Sequence, residues 1–208
     1  MITIVDYGMG NLGSVLNMLK RIGVPARISE KLEDIDDSDK LILPGVGAFD
    51  MAIKRIDQTG LREVLNRKVL KEGTPILGIC LGMQLLTNSS EEGVLPGLGF
   101  IDANTVKFNK ELRLKIPHMG WNEVTKSNPS PLTQDIENVS EFDENARFYF
   151  VHSYKVLTNN PEDSILTCVH GTQKFDAAIQ RGHIYGAQFH PEKSHRFGMK
   201  LLENFAKI

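Results

Sequence analysis

The chain has 208 residues, of which 41% are hydrophobic and 24% are charged, and its formal net charge is −2. This length supports one well-packed domain, expected to span residues 1–208, and the near-neutral charge argues against nucleic acid or an anionic membrane as a partner. Two cysteines are too few for a disulfide framework and no apolar run approaches membrane-spanning length, so a cytoplasmic protein is expected.

Strand and helix patterns alternate in the first half of the chain. Short apolar runs predict strands at Ile2–Asp6, Val24–Ser29, Lys40–Leu43 and from Thr74 onward. Apolar residues at helical spacing predict helices at Leu12–Ile22, Phe49–Ile56 and Leu61–Lys71. This rhythm predicts an α/β fold with a parallel sheet, in which sites form at the carboxyl ends of the strands.

The second half favours strands and turns and closes with a helix. Strands are expected at Phe100–Phe108, Leu112–Ile116, Trp121–Thr125, Arg147–Val156, Ser164–His170, Phe175–Arg181 and His183–Phe189. The polar segment Lys126–Asn145 is expected to be a surface loop with a short helix at most, and Phe197–Phe205 a closing amphipathic helix.

The segment from Thr74 to Leu86 changes from a strand pattern to a helix pattern at Gly78-x-Cys80-x-Gly82. A strand that turns sharply into a helix needs small neighbours, and it exposes the residue at the turn at the top of the sheet. The helix N-terminus favours a thiolate there. A buried cysteine that acts only as a small apolar side chain is the alternative, but the flanking glycines favour a nucleophile.

A cysteine nucleophile needs a base, and His190 stands where the last apolar strand ends. Pro191 ends this strand, so that Glu192 can curl back to hold the imidazole. In a Cys-His-Glu triad the histidine takes the thiol proton and the carboxylate orients the ring. A histidine that merely satisfies the strand end is the alternative.

No motif points to a cofactor or a metal. Gly8 and Gly10 form a glycine-bearing turn, but Gly13 comes too early for a dinucleotide fingerprint and no acidic residue is suitably placed. The histidines other than His190 show no metal-ligand spacing with Cys168 or with each other. We therefore expect neither a cofactor nor a metal.

These motifs resemble those of a known enzyme family. Gly78–Gln84 and Phe189–Glu192 are similar to the class I (triad) glutamine amidotransferases. Four segments resemble one branch, the glutaminase subunits of imidazole glycerol phosphate synthase in histidine biosynthesis: Pro44–Phe49, Pro117–Asn122, Phe148–Tyr154 and His190–Ser194. The likeness covers nearly the whole chain. It implies a three-layer sandwich, with a mostly parallel central sheet flanked by helices and an additional antiparallel region.

The resemblance also implies roles for individual residues. Cys80 would attack the side-chain amide of glutamine, with His190 as base and Glu192 holding its ring, and water would hydrolyse the thioester. The oxyanion hole would be formed by Leu81 and the Gly45-Val46 segment, whose peptide would rotate inward. The substrate would be bound by Gly47, Gln84, Glu92, His152, Ser153 and Tyr154. Glu92 would pair with the α-amino group, the alternative being a solvated loop charge.

Glutaminases of this branch work with a (β/α)8-barrel cyclase, which receives the ammonia and makes imidazole glycerol phosphate and AICAR. The resemblance places these residues at the interface: Tyr7, Asn11, Met119, Trp121 and Lys193. For Trp121 an ordinary core position is the alternative. The isolated chain is expected to be a poor glutaminase. Two other functions stay open: a paralogous glutaminase that serves another synthase, such as a surface-polysaccharide sugar amination enzyme, and a non-catalytic binding module.

Overall fold

Helices lie between the strands of the first half of the chain, as the alternating pattern predicts. The computed structural model describes residues 1–109, 114–139 and 145–208. Its α-helices are α1 (Leu12–Arg21), α2 (Leu32–Asp36), α3 (Phe49–Gln58), α4 (Leu61–Leu65), α5 (Leu81–Leu85) and α6 (His195–Lys207). Its strands are β1 (Ile2–Val5), β2 (Ala26–Ser29), β3 (Lys40–Gly45), β4 (Ile76–Cys80), β5 (Ser89–Ser90), β6 (Ala103–Lys107), β7 (His118–Glu123), β8 (Thr125–Lys126), β9 (Arg147–His152), β10 (Tyr154–Thr158), β11 (Ser164–His170), β12 (Gln173–Arg181) and β13 (Ile184–Ala187).

One large sheet and one small sheet organise the described part of the chain. The large sheet runs β2-β1-β3-β4-β13-β12-β10-β6-β5, and β11 joins it through β12 and carries β8. All neighbours from β2 to β13 are parallel, whereas the pairs formed by β12, β10 and β11 are antiparallel. β7 and β9 form a separate antiparallel pair. The predicted α/β fold with a parallel centre and an antiparallel region is confirmed.

The parallel half of the sheet is buried on both faces, which explains its nearly continuous apolar strands. In β3, Ile42 belongs to an apolar cluster with residues of α1 and α6. Leu41 and Leu43 belong to a second cluster with residues of α3, α4 and α5. Successive side chains of a strand point to opposite faces, so these clusters lie on the two sides of the sheet and make three layers.

Two predicted strands are each divided in the structure. The predicted strand Arg147–Val156 is β9 in the small sheet and β10 in the large sheet, with Ser153 between them. Likewise, the predicted strand Trp121–Thr125 breaks at Val124, so that β7 and β8 lie in different sheets. A chain that passes from one sheet to another must bend, and an unbroken apolar alternation carries no signal for that bend.

Other boundaries also differ from the prediction. The helix predicted over Leu61–Lys71 is α4 followed by a π-helical turn at Asn66–Lys71, and α2 and β5 are too short to show periodicity. The predicted strand Leu112–Ile116 begins outside the described residues, and its described part, residues 114–116, is not in a strand. The predicted polar loop contains two short 3₁₀ helices, Pro131–Thr133 and Ile136–Val139, and its residues 140–144 lie outside the described part. No helix in the described ranges is both long and apolar enough to span a membrane.

Candidate active site

Cys80 occupies the sharp turn between β4 and α5. Its backbone has φ 55° and ψ −110°, a conformation that an L-residue adopts at a cost of about 1–3 kcal/mol. A methyl group on Gly82 would clash with the carbonyl oxygen of Leu43, and one on Gly78 would lie 2.6 Å from the carbonyl oxygen of Gly82. The two glycines are therefore required for the close approach of strand and helix, which agrees with the turn that the sequence predicts.

His190 and Glu192 form a buried pair. His190 Nδ1 lies 2.7 Å from Glu192 Oε1, and both side chains are 3% exposed or less. Burial by itself would lower the pKa of His190, but its contacts with the Cys80 thiol and the Glu192 carboxylate outweigh this and raise the pKa to about 9. His190 Nε2 makes no hydrogen bond to the residues that the structure describes, so the nitrogen opposite the carboxylate is available for proton transfer.

The backbone of His190 is fixed by Ser194 and Tyr149. The Ser194 hydroxyl donates to the His190 carbonyl at 2.6 Å and accepts from the Tyr149 N–H at 3.0 Å. The His190 N–H donates to the Tyr149 carbonyl at 2.9 Å. Ser194 belongs to a segment that the resemblance singles out, but sequence reasoning assigns it no role.

The predicted oxyanion segment lies beside the nucleophile. Gly45 is the register partner of Cys80 across β3 and β4, and Leu81 is the first residue of α5. Tyr7 lies directly behind Gly45, because a methyl group on Gly45 would clash with the Tyr7 hydroxyl. This hydroxyl donates to the Pro44 carbonyl at 2.8 Å. Only 5% of Tyr7 is exposed, so this predicted interface residue packs mainly within the chain, and its contact with a partner stays a prediction.

A cavity of about 320 Å³ opens in front of Cys80. It brings together predicted residues from five different segments of the chain. They are Val46, Gly47, Cys80, Leu81, Gln84, Glu92, His152, Ser153, Tyr154 and His190. Pro117 and Val151 also line it and have no predicted role. Glu192 is absent from the lining because it lies behind His190.

Gln188 is a site residue that sequence reasoning misses. It is fully buried, its Nε2 lies 3.9 Å from Cys80 Sγ, and its Oε1 accepts from Gln84 Nε2 at 3.1 Å. Gln188 precedes His190 by two positions at the end of the predicted strand His183–Phe189, and alternate residues of a strand share a face. That spacing is the signal that could have identified it.

Glu92 is held at the edge of the cavity. Its Oε2 accepts from the backbone N–H of Phe49, the first residue of α3, at 3.0 Å. A carboxylate at a helix N-terminus is stabilised by the unpaired N–H groups there. Glu92 is therefore tied to a helix end rather than being only a solvated loop charge; its pairing with a substrate amine stays a prediction.

The remaining interface candidates lie at the surface. Met119 is 60% exposed and Trp121 43% exposed, both on β7, and Asn11 and Lys193 are exposed as well. The Trp121 ring stacks on His195 at a centroid distance of 5.5 Å. The alternative of an ordinary core tryptophan is thus excluded, whereas the contact with a partner stays a prediction.

Comparison with known proteins agrees with this geometry. The family profile described as glutamine amidotransferase class-I matches residues 3–208. The chain belongs to this family. The match confirms the family that the motifs predict, and with it the glutamine amidotransferase activity.

The branch is supported by full-length relatives. A Methanococcus maripaludis protein named imidazole glycerol phosphate synthase subunit HisH 2 is 53% identical, over 100% of this chain and 99% of that protein. A Pseudomonas aeruginosa protein of the same name is 49% identical over all of both chains. Among solved structures, PurLQS from Thermotoga maritima matches with a TM-score of 0.70 over 99% of this amidotransferase and 97% of that chain. At 20% identity this last likeness shows the fold alone.

Proposed function

We propose that this amidotransferase is the glutaminase subunit of imidazole glycerol phosphate synthase, which releases ammonia from L-glutamine for histidine biosynthesis. The observation that carries the proposal is the cavity in which Cys80, on a strained strand-to-helix turn, meets a histidine paired with Glu192. The names of the full-length relatives support the pathway, and they favour it over a paralogous glutaminase for sugar amination.

The chemistry is acyl transfer through a thioester. His190 takes the thiol proton, and the Cys80 thiolate attacks the side-chain amide carbon of glutamine. His190 then gives the proton to the departing nitrogen, so that ammonia leaves and the glutamyl thioester remains. His190 next takes a proton from water, the hydroxide attacks the thioester, and glutamate leaves as the thiolate is released. Glu192 stabilises the imidazolium in each step.

The tetrahedral intermediates need two donors for the oxyanion. The N–H of Leu81, at the start of α5, is one of them, and the Gly45-Val46 peptide supplies the other after rotating toward the cavity. Glycine at position 45 lowers the steric cost of that rotation. Removing one oxyanion donor typically costs about 3 kcal/mol in kcat. The partner favours the rotated state, so the isolated chain hydrolyses glutamine slowly.

The substrate lies in the cavity with its α-amino group at Glu92. Gly47, Gln84 and the His152–Tyr154 corner all line the cavity. These assignments follow the family resemblance, and the shared cavity supports them.

The partner is a (β/α)8-barrel cyclase that binds over the cavity and receives the ammonia through an enclosed path. Free ammonia would be protonated in water and would lose its nucleophilicity. Asn11, Met119, Trp121 and Lys193 form the docking surface, on which an exposed tryptophan is a typical interface anchor. We place the complex in the cytoplasm and treat residues 1–208 as one domain.

Glutamate release tests the proposal. It is measured with the chain alone and with the barrel cyclase and its nucleotide ligand, and Cys80→Ala serves as control. Strong stimulation by the cyclase that disappears in Cys80→Ala is the expected result. Cysteine-dependent activity that the cyclase leaves unchanged would transfer the assignment to another synthase. Absence of activity in every combination would favour a binding module.

A further inference from the structure

A pair of buried histidines lies at the glutamine cavity, which His152 lines and His118 does not. His118 and His152 face each other as register partners of β7 and β9 and are 4% and 6% exposed. Burial lowers the pKa of His118 to about 4 and that of His152 to about 3, so both rings are neutral at pH 7. The thioester chemistry gives neither ring a role.

The hydrogen bonds of this pair have one consistent direction. His152 Nδ1 lies 2.6 Å from the Tyr154 carbonyl oxygen, which can only accept, so Nδ1 carries the proton and Nε2 is an acceptor. His118 Nδ1 lies 2.9 Å from His152 Nε2 and must therefore donate to it. His118 Nε2 is then an acceptor, and it accepts from the Asn122 amide nitrogen Nδ2 at 3.3 Å. The second proton of this amide nitrogen is donated to the Val169 carbonyl.

These bonds end at the corner where the chain passes from the small sheet to the large one. β9 ends at His152, β10 begins at Tyr154, and Ser153 between them lines the cavity. The Tyr154 carbonyl also accepts from Gln84 Nε2 at 3.5 Å, and just before the corner the Val151 carbonyl lies 3.8 Å from Cys80 Sγ. A shift of the corner would therefore move groups that line the cavity.

Both ring nitrogens of His152 are used within the protein. They cannot bind glutamine without breaking a bond to His118 or Tyr154. The contacts of the His152–Tyr154 segment with glutamine must then come from its backbone and from Ser153, rather than from the His152 ring.

Granted the glutaminase reaction proposed above, we propose that His118 is a positioning residue: by donating to His152 it locks the Ser153 corner in the shape that binds glutamine. His118 does not touch the substrate. Its loss would leave His152 Nε2 without a donor inside the protein, so the ring and the corner would become free to reorient. The effect falls on glutamine binding and not on the bond-breaking step.

The test compares three variants in the assembled complex with the cyclase. His118→Leu keeps the bulk but removes the donor, and we expect the KM for glutamine to rise about tenfold while kcat stays within threefold. His118→Asn carries an amide where Nδ1 stood and should restore the KM to within threefold of wild type. His170→Leu is the matched control: His170 stacks on His118 at 4.4 Å but bonds to the Lys115 carbonyl, so its loss removes that bond and the stacking yet no donor to His152, and it should leave the KM unchanged.

Nitrogen NMR of the imidazole rings gives a readout that is independent of turnover. In the wild-type complex both His118 and His152 should be neutral and protonated at Nδ1. An Nε2–H form of either ring, an unchanged KM in His118→Leu, or an equal rise in His170→Leu would overturn the proposal. Inactivity of the wild-type complex toward glutamine would instead refute the glutaminase function, and the NMR assignment would still be decided.

Discussion

Replacing Glu192 by glutamine should shift the pH dependence of glutamine hydrolysis to lower pH. The carboxylate lies 2.7 Å from His190 Nδ1, and the reactive pair consists of a thiolate and an imidazolium. The imidazolium is present below the pKa of His190, about 9, and is lost as the pH rises through that value. Without the negative charge at Glu192, burial lowers this pKa unopposed by the carboxylate, so the descending limb of the pH profile moves to lower pH.

The magnitude follows from the pKa of His190. A pKa of about 9 lies about 2.5 pH units above the ordinary value of 6.5, which corresponds to about 3 kcal/mol of stabilisation of the imidazolium. Cys80 contributes to this stabilisation as well, so we assign about half of it to Glu192. The descending limb should therefore move by about one pH unit, and kcat/KM at pH 8 should fall roughly tenfold.

Steady-state glutamate release by the complex between pH 6 and pH 10 measures this effect. The control is Glu91→Gln, which removes an exposed carboxylate whose Oε2 accepts from the backbone N–H of Lys107 rather than from His190. The control should match wild type. A descending limb that moves by less than 0.3 pH units in Glu192→Gln, with kcat/KM within threefold, would refute the assigned role of the carboxylate.

Three further predictions concern stability and assembly. Gly82→Ala should lower the free energy of unfolding by about 2–4 kcal/mol, because the added methyl group clashes with a β3 carbonyl. Gly13→Ala is the control: it lies in open space on α1 and should raise the free energy of unfolding by about 0.5–1 kcal/mol. Similar urea midpoints for the two variants would contradict this prediction. Trp121→Ala should weaken cyclase binding about 30-fold or more by calorimetry, and a change below threefold would remove it from the interface. The pKa values of His118 and His152 are lowered to about 4 and 3, so below pH 6.5 the unfolded chain binds more protons than the folded chain, and the free energy of unfolding should fall from pH 6.5 to pH 4. His118→Leu should flatten this fall, as measured by urea titrations at each pH. Equal pH slopes in wild type and His118→Leu would argue against this prediction.

Much of the active site could be predicted because its signals are local. Gly78 is required by a clash with Gly82 within one strand-turn-helix unit, and Gly82 by a clash with Leu43 on the adjacent strand β3, but both glycines are visible within five consecutive residues. His190 and Glu192 are two positions apart, and Pro191 between them sets the turn that brings their side chains together. The alternating strand and helix patterns likewise predicted the parallel half of the sheet, since each pattern reflects a face that must be buried.

Contacts between distant segments could not be predicted in this way. The division of one predicted strand at Ser153, the burial of Tyr7 behind Gly45 and the hydrogen bond between His118 and His152 each depend on a neighbour from another part of the chain. The spacing of Gln188 from His190 was a usable signal, but nothing in the sequence indicated the hydrogen bond between Gln188 and Gln84. The sequence alone therefore determined the nucleophilic turn, the histidine–carboxylate pair and the order of the elements, because these follow from short-range sterics and periodicity. Only the tertiary structure decided which backbone groups face the substrate, because that depends on how the two sheets meet.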